Sequence, residues 1–166
     1  MRFAPAAAAL SLALTITGSV AYGEDQVANP RAIALIAEGD AVLMSGDPQT
    51  AIDAYEAALT IDPAYSPIYL RLAQAARAEG LQGKAIGYYR EVLERDPANF
   101  AAIGGEGAAL AEKGAIEKAR QKLTRLQSLC GENCPEAGTL SLAIERAANP
   151  APALAAETSG EAPTPN

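Results

Sequence analysis

From residue 30 onward, apolar side chains recur every three or four positions, in short blocks separated by Gly or Asp-Pro. The first block carries Leu35, Val42 and Leu43 on one helical face, opened by Asn29-Pro30, a capping residue followed by Pro at the first helical position. Gly46 closes it, where the chain needs a left-handed residue. Asp47-Pro48 opens a second helix through Ile52, Tyr55 and Leu59, and Asp62-Pro63 ends that one. The plan then repeats. Ser66-Pro67 leads into Tyr69, Leu72, Ala73 and Ala76, Gly80 turns the chain, and Ala85, Ile86, Tyr89 and Leu93 follow before Asp96-Pro97. A third round opens near Asn99, turns at Gly114 and continues through Ile116, Ala119, Leu123 and Leu126. The pattern predicts an all-α chain of paired helices.

The rounds share one period of 34 residues. Gly46, Gly80 and Gly114 hold it, as do Ala51, Ala85 and Ala119. Tyr55 and Tyr89 match, with Leu123 in the third place, and Pro63 and Pro97 match, with Gly131 in the third. The small residues at 51, 85 and 119 suit a close helix crossing, where little more than a Cβ fits. A stack of such units needs its last apolar face covered. Residues 136–148 supply a capping helix with Leu140, Ile144 and Ala147 inward and Pro135 at its start, and the Ala/Pro/Glu-rich stretch 149–166 reads as a disordered tail.

These residues resemble the tetratricopeptide repeat family, whose unit is a 34-residue helix-turn-helix. The resemblance divides the chain into units at about 32–65, 66–99 and 100–133, within a domain spanning 30–148 after a short lead, 24–29. The family's small residue at the eighth position is Gly39, Ala73 and Gly107. Departures are concentrated in the third unit. It lacks the second-helix aromatic and the terminal Pro, and it places Gly104 and Gly105 inside its first helix, each costing about 1 kcal/mol against Ala. The fold implied is a right-handed α-solenoid of three helix-turn-helix units plus a C-terminal capping helix, with a concave inner face.

Composition adds a compartment. Arg2 precedes an almost wholly apolar run, 3–16; Gly18 and Ser19 break it; and Ala21-Tyr22-Gly23 places small residues where a signal peptidase reads. The apolar core is shorter than a membrane span needs, which favours a cleaved signal peptide, 1–23, over a retained anchor. The expected protein is therefore periplasmic or secreted, without a membrane span after cleavage. Cys130 and Cys134 then read as a disulfide that pins the cap to the third unit. A redox pair and a soft-metal site are the alternatives, although the chain has no His and no third Cys.

The net charge of −7, with no evident Lys/Arg cluster, argues against nucleic acid, which demands a basic patch. Without His, the usual base and metal ligand is missing, and IGGEG at 103–107 follows no strand and has no Lys-Ser/Thr partner for phosphate. No enzyme, cofactor or metal centre is expected. What remains is the groove that the resemblance implies. Carried over by position, unit one contributes Ile36, Asp40, Leu43 and Met44, and unit two contributes Leu70, Arg71, Gln74 and Arg77. Unit three contributes Gly104, Gly105, Ala108 and Ala111. That set describes an apolar shelf, a cationic middle suited to a peptide carboxylate or acidic side chain, and a floor that lets a ligand backbone approach. The bland reading of the middle is a solvated helix face. The function expected is an adaptor that binds another protein or peptide during assembly of a cell-envelope complex. The alternative is a self-associating spacer that forms homo-oligomers.

Overall fold

The computed structural model describes residues 28–131 and 134–149, and all regular secondary structure among them is helical. Seven helices follow one another: α1 (Pro30–Met44), α2 (Pro48–Ile61), α3 (Pro67–Ala78), α4 (Gln82–Arg95), α5 (Phe100–Glu112), α6 (Ile116–Cys130) and α7 (Pro135–Ala148). The expected signal segment and the tail beyond 149 lie outside the described residues.

Local chemistry accounts for the boundaries. Side chains of Asn29, Asp47 and Asn99 accept hydrogen bonds from the backbone N–H of Arg31, Thr50 and Ala102, satisfying donors that the first turn leaves orphaned. Ser66 departs from expectation: it sits in the helical region and its hydroxyl caps nothing. Gly46, Gly80 and Gly114 take φ of +88°, +80° and +85°. After each, the next residue's N–H reaches back across the turn: Asp47 to the Val42 carbonyl, Leu81 to Ala76 and Ala115 to Leu110, at 3.1, 2.8 and 2.8 Å. Three identical closures explain why the Gly period is strict.

Each helix packs on its chain neighbour, so the pairs α1–α2, α3–α4 and α5–α6 stack in order, and α7 lies against both α5 and α6. The first helices also touch, α1 with α3 and α3 with α5, whereas the backbones of α2 and α4, or of α4 and α6, do not approach. The stack is therefore tight along its first helices and splayed along its second ones, which makes the first-helix side concave. Helix α5 carries the core. Nine of its residues are buried, from Ala102 to Ala111, and they include both Gly104 and Gly107. The helix whose glycines count against it in isolation is thus the one most enclosed by neighbours. Ile68 is fully buried, a core position the apolar stripe of unit two did not include, while Tyr69 stays half-buried and lies under the Arg95 guanidinium at 4.7 Å.

Two tyrosines lock the stack. Tyr55 and Tyr89 are essentially without solvent exposure, and each presses against a glycine on a first helix. A Cβ on Gly39 would lie 2.8 Å from Tyr55 Cδ1, and one on Gly105 would lie 2.5 Å from the Tyr89 hydroxyl. The Tyr55 hydroxyl donates to Asp40 Oδ1 at 2.7 Å.

Burial, reinforced by the Asp40 contact, pushes the Tyr55 phenol well above its ordinary value, and burial raises Tyr88 and Tyr89 as well. The folded pKa lies above the unfolded one, near 10. The neutral phenols therefore contribute fully below about pH 10, and that contribution is lost as pH rises further. Urea melts across the alkaline range should show wild type losing stability above about pH 10. The Tyr55→Phe variant should lose less over the same interval.

Candidate functional site

On the concave face the first helices meet through ion pairs. Asp40 of α1 lies 3.2 Å from Arg71 Nε of α3, so its carboxylate receives both the Tyr55 hydroxyl and a guanidinium. Arg71 also donates to the Gln74 side-chain oxygen at 3.5 Å. Further along, Arg77 of α3 grips Glu112 of α5 through Nε and Nη2, at 2.6 to 3.0 Å, a forked geometry that only Arg provides. That bond holds the Arg77 guanidinium above its ordinary pKa. The two arginines expected to form a cationic middle are thus each matched by a carboxylate of the same face.

Between α3, α5 and α7 the face opens into a cavity of about 220 Å³. Gln74 and Arg77 form one wall; Gly104, Gly105 and Ala108 form the floor with the Tyr89 ring; Pro135, Glu136 and Thr139 of α7 close the far side. The cavity exists because of what is missing from α5. At the equivalent place one unit earlier stands Arg71, whose side chain crosses to Asp40. Here stands Gly105, compelled by the ring beneath it.

Of the residues expected in the groove, the structure brings Gln74, Arg77, Gly104, Gly105 and Ala108 together. Ala111 lies in an adjoining depression with Arg77, Glu112 and Arg146. Ile36, Leu43 and Leu70 are half-buried against the core, and Met44, 83% exposed, ends α1 away from the cavity. The α7 wall was missed because the capping helix read as a lid, whereas it packs more closely on α5 than the first helices pack on one another and so borders the inner face. Tyr89 was assigned to the core alone.

A second cluster went unnoticed in the sequence. Glu106 of α5, 1% exposed, is held by Arg90 Nε of α4 at 2.9 Å and by the Lys122 ammonium of α6. It ties three helices together on the opposite, splayed side. The sulfurs of Cys130 and Cys134 are bonded, with Cα atoms 5.9 Å apart, and the pair joins the last residue of α6 to the residue that caps α7. Among the described residues, no three His, Cys, Asp or Glu side chains are grouped to hold a metal.

The geometry defines a helical-repeat solenoid with a small-floored cavity on its concave side. Tetratricopeptide repeat family models match residues 42–81 and 66–99, so the stretch from α1 to the end of α4 carries tetratricopeptide repeats. Solved structures agree on the fold. The first such domain of Spaghetti (RPAP3), bound to the HSP90 peptide SRMEEVD, superposes with a TM-score of 0.63 at 22% identity, covering 71% of this chain and 93% of that one. The Sgt2 domain from Aspergillus fumigatus gives 0.63 at 24%, covering 73% and 79%. The TPR2B domain of yeast Sti1, in complex with pHsp70, gives 0.65 at 20%, covering 73% and 98%. No curated protein matches the chain.

Adjacent glycines on the cavity floor should respond with opposite sign. A Cβ on Gly104 would meet its nearest neighbour, Glu136 Cβ, at an ordinary 3.5 Å, so Gly104→Ala should stabilise by about 0.5–1 kcal/mol through helix propensity. Gly105→Ala must displace the Tyr89 ring and should destabilise by about 1–3 kcal/mol. Paired urea titrations measure both. Equal shifts would mean that the ring does not dictate the floor.

Proposed function

We propose that this protein is a non-catalytic adaptor that holds a segment of a partner protein in the cavity between α3, α5 and α7. The observation that carries the reading is a floor with no side chain beyond a methyl, Gly104, Gly105 and Ala108, ringed by polar groups from Gln74, Arg77, Tyr89, Glu136 and Thr139. A floor of that kind lets a ligand backbone approach, and amide and hydroxyl groups are what its N–H and C=O require. The peptides bound by the similar RPAP3 domains, SRMEEVD and SGPTIEEVD, support peptide capture as the use of such a surface. Both are acidic. In this chain Arg71 and Arg77 are already engaged by Asp40 and Glu112, so the groove suits a neutral segment recognised through its backbone.

The setting we propose is the cell envelope, in support of assembly of a larger complex. The signal-like segment and the Cys130–Cys134 bond favour an oxidising compartment. A self-associating spacer is the second reading, favoured by the exposure of Ile33 and Met44 on the first helix of the stack.

Four measurements test these statements. A photocrosslinker placed in cells at Ala101, on the cavity rim, should capture a discrete partner, and one at Asp53, on the far side of α2, should not. Adding Thr139→Trp, which fills the cavity from an exposed position, should abolish capture while the melting curve is kept; persistence of the crosslink would refute the site. Light scattering should return a monomer, and a concentration-dependent dimer would favour the spacer. For the compartment, alkylating reagents should label Cys130 and Cys134 only after reduction, and the purified protein should begin after residue 23.

A further inference from the structure

The splayed side of the stack carries a groove that the adaptor reading does not use. Its floor is α5, presenting Glu106 and Leu110; its walls are α4 and α6, which face each other without backbone contact. Two hollows of about 460 and 440 Å³ adjoin across Arg90, Leu110 and Lys118, and together they line an outer channel. Five cations line it, Arg90, Lys113, Lys118, Lys122 and Arg125, against two carboxylates, Glu94 and Glu106. The chain has thirteen Lys and Arg in total and a net charge of −7, so a locally positive channel is a departure from the character of the molecule.

The channel is also organised. Glu106 is buried at its base and draws Arg90 and Lys122 inward from opposite walls. Arg90 spends its Nε on that contact and remains 61% exposed along the channel. Lys118, Lys122 and Arg125 fall on one face of α6 at i, i+4 and i+7. Among the described residues Lys113, Lys118 and Arg125 form no ion pair, and Arg125 reaches only the Pro97 carbonyl, at 2.6 Å. Between the cations lie the half-buried Leu93 and the small exposed edges of the core residues Ile86 and Leu110.

We propose that this outer channel is a second docking site, for an acidic protein segment whose carboxylates alternate with apolar side chains. Charge complementarity selects the acid, and Leu93, with the exposed edges of Ile86 and Leu110, takes the apolar residues. A long polyanion or an anionic lipid surface extends beyond the channel and meets the excess negative charge of the rest of the chain. A short segment is attracted within a Debye length of the channel, roughly 10 Å, and is spared that repulsion. The adaptor would then hold a neutral segment on its concave side and an acidic one on its back.

Fluorescence anisotropy of the full chain with a labelled Glu/Leu peptide tests this, with a Lys/Leu peptide, duplex DNA and phosphatidylglycerol vesicles as competing probes. The Glu/Leu peptide should bind best, and binding should weaken with added salt. The exposed double change Lys113→Glu with Lys118→Glu should weaken it by about tenfold or more, and the neutral pair Lys113→Gln with Lys118→Gln by less. Circular dichroism confirms that both variants keep the helical fold. The inner-cavity variant Thr139→Trp should bind the peptide as wild type does, which separates failure of this site from failure of the concave one. Unchanged affinity in the Glu variant would overturn the proposal. So would equal or tighter binding of the Lys/Leu peptide, DNA or vesicles, or loss of binding in Thr139→Trp.

Discussion

A tyrosine ring needs a partner helix that offers it no side chain, and the spacing of this stack follows from where that condition is met. Tyr55 lies against Gly39 within its own unit, and Tyr89 lies against Gly105 of the next. In the third unit Leu123 replaces the aromatic, and the vacancy beside Gly107 is taken by Leu140 of α7, whose Cδ2 would come within 2.7 Å of an added Cβ. The capping helix therefore does more than shield an apolar end. It supplies the buried group that the third unit lacks, and the bond between Cys130 and Cys134 ties the two helices where this substitution occurs.

One register position shows how a small change converts packing into a site. Arg71 and Gly105 occupy equivalent places in successive units. Arg71 stretches across the concave face to Asp40, whose carboxylate also accepts the Tyr55 hydroxyl, and the space there is filled. Gly105 puts no side chain over the Tyr89 ring, and a cavity floored by Gly104, Gly105 and Ala108 remains there. A helix made of small residues is intrinsically weak, yet α5 is flanked by α3, α4, α6 and α7. Tertiary burial outweighs propensity there, and enclosure by four neighbours is the condition that lets the floor stay bare.

The repeat period, the turn glycines and most of the caps were legible in the sequence, because each depends on residues a few positions apart. The third unit, doubted for its paired glycines, is the best enclosed, since propensity speaks of a helix alone and not of its neighbours. Half of the groove was legible for the same reason. Register assigns Gln74, Gly104 and Ala108 to the inner face, but it cannot show that Arg71 and Arg77 are claimed by Asp40 and Glu112, which sit in other units. Nor does it show that Lys118, Lys122 and Arg125 face Arg90, because their proximity arises only when α4 and α6 are placed on either side of α5. Ser66-Pro67 opens α3 as the sequence indicates, yet the Ser66 hydroxyl makes no capping bond because its backbone lies in the helical region.

The contrast between the two faces has a geometric origin. First helices approach closely enough for long side chains to span the gap, so a cation on one finds an acid on the next, as Arg71 finds Asp40 and Arg77 finds Glu112. Second helices splay, and a lysine on α6 has no carboxylate of α4 within an ion-pair distance among the described residues; only Glu106, rising from α5 beneath, is reached from both sides. Curvature thus sorts the cations of the repeats: on the inside Arg71 and Arg77 are matched across helices, and on the outside Lys113, Lys118 and Arg125 are not. A surface neutralised by its own pairs has little field with which to attract a charged ligand, and must recognise by shape and hydrogen bonds. A surface left with unmatched cations in a low-lying channel has the opposite endowment.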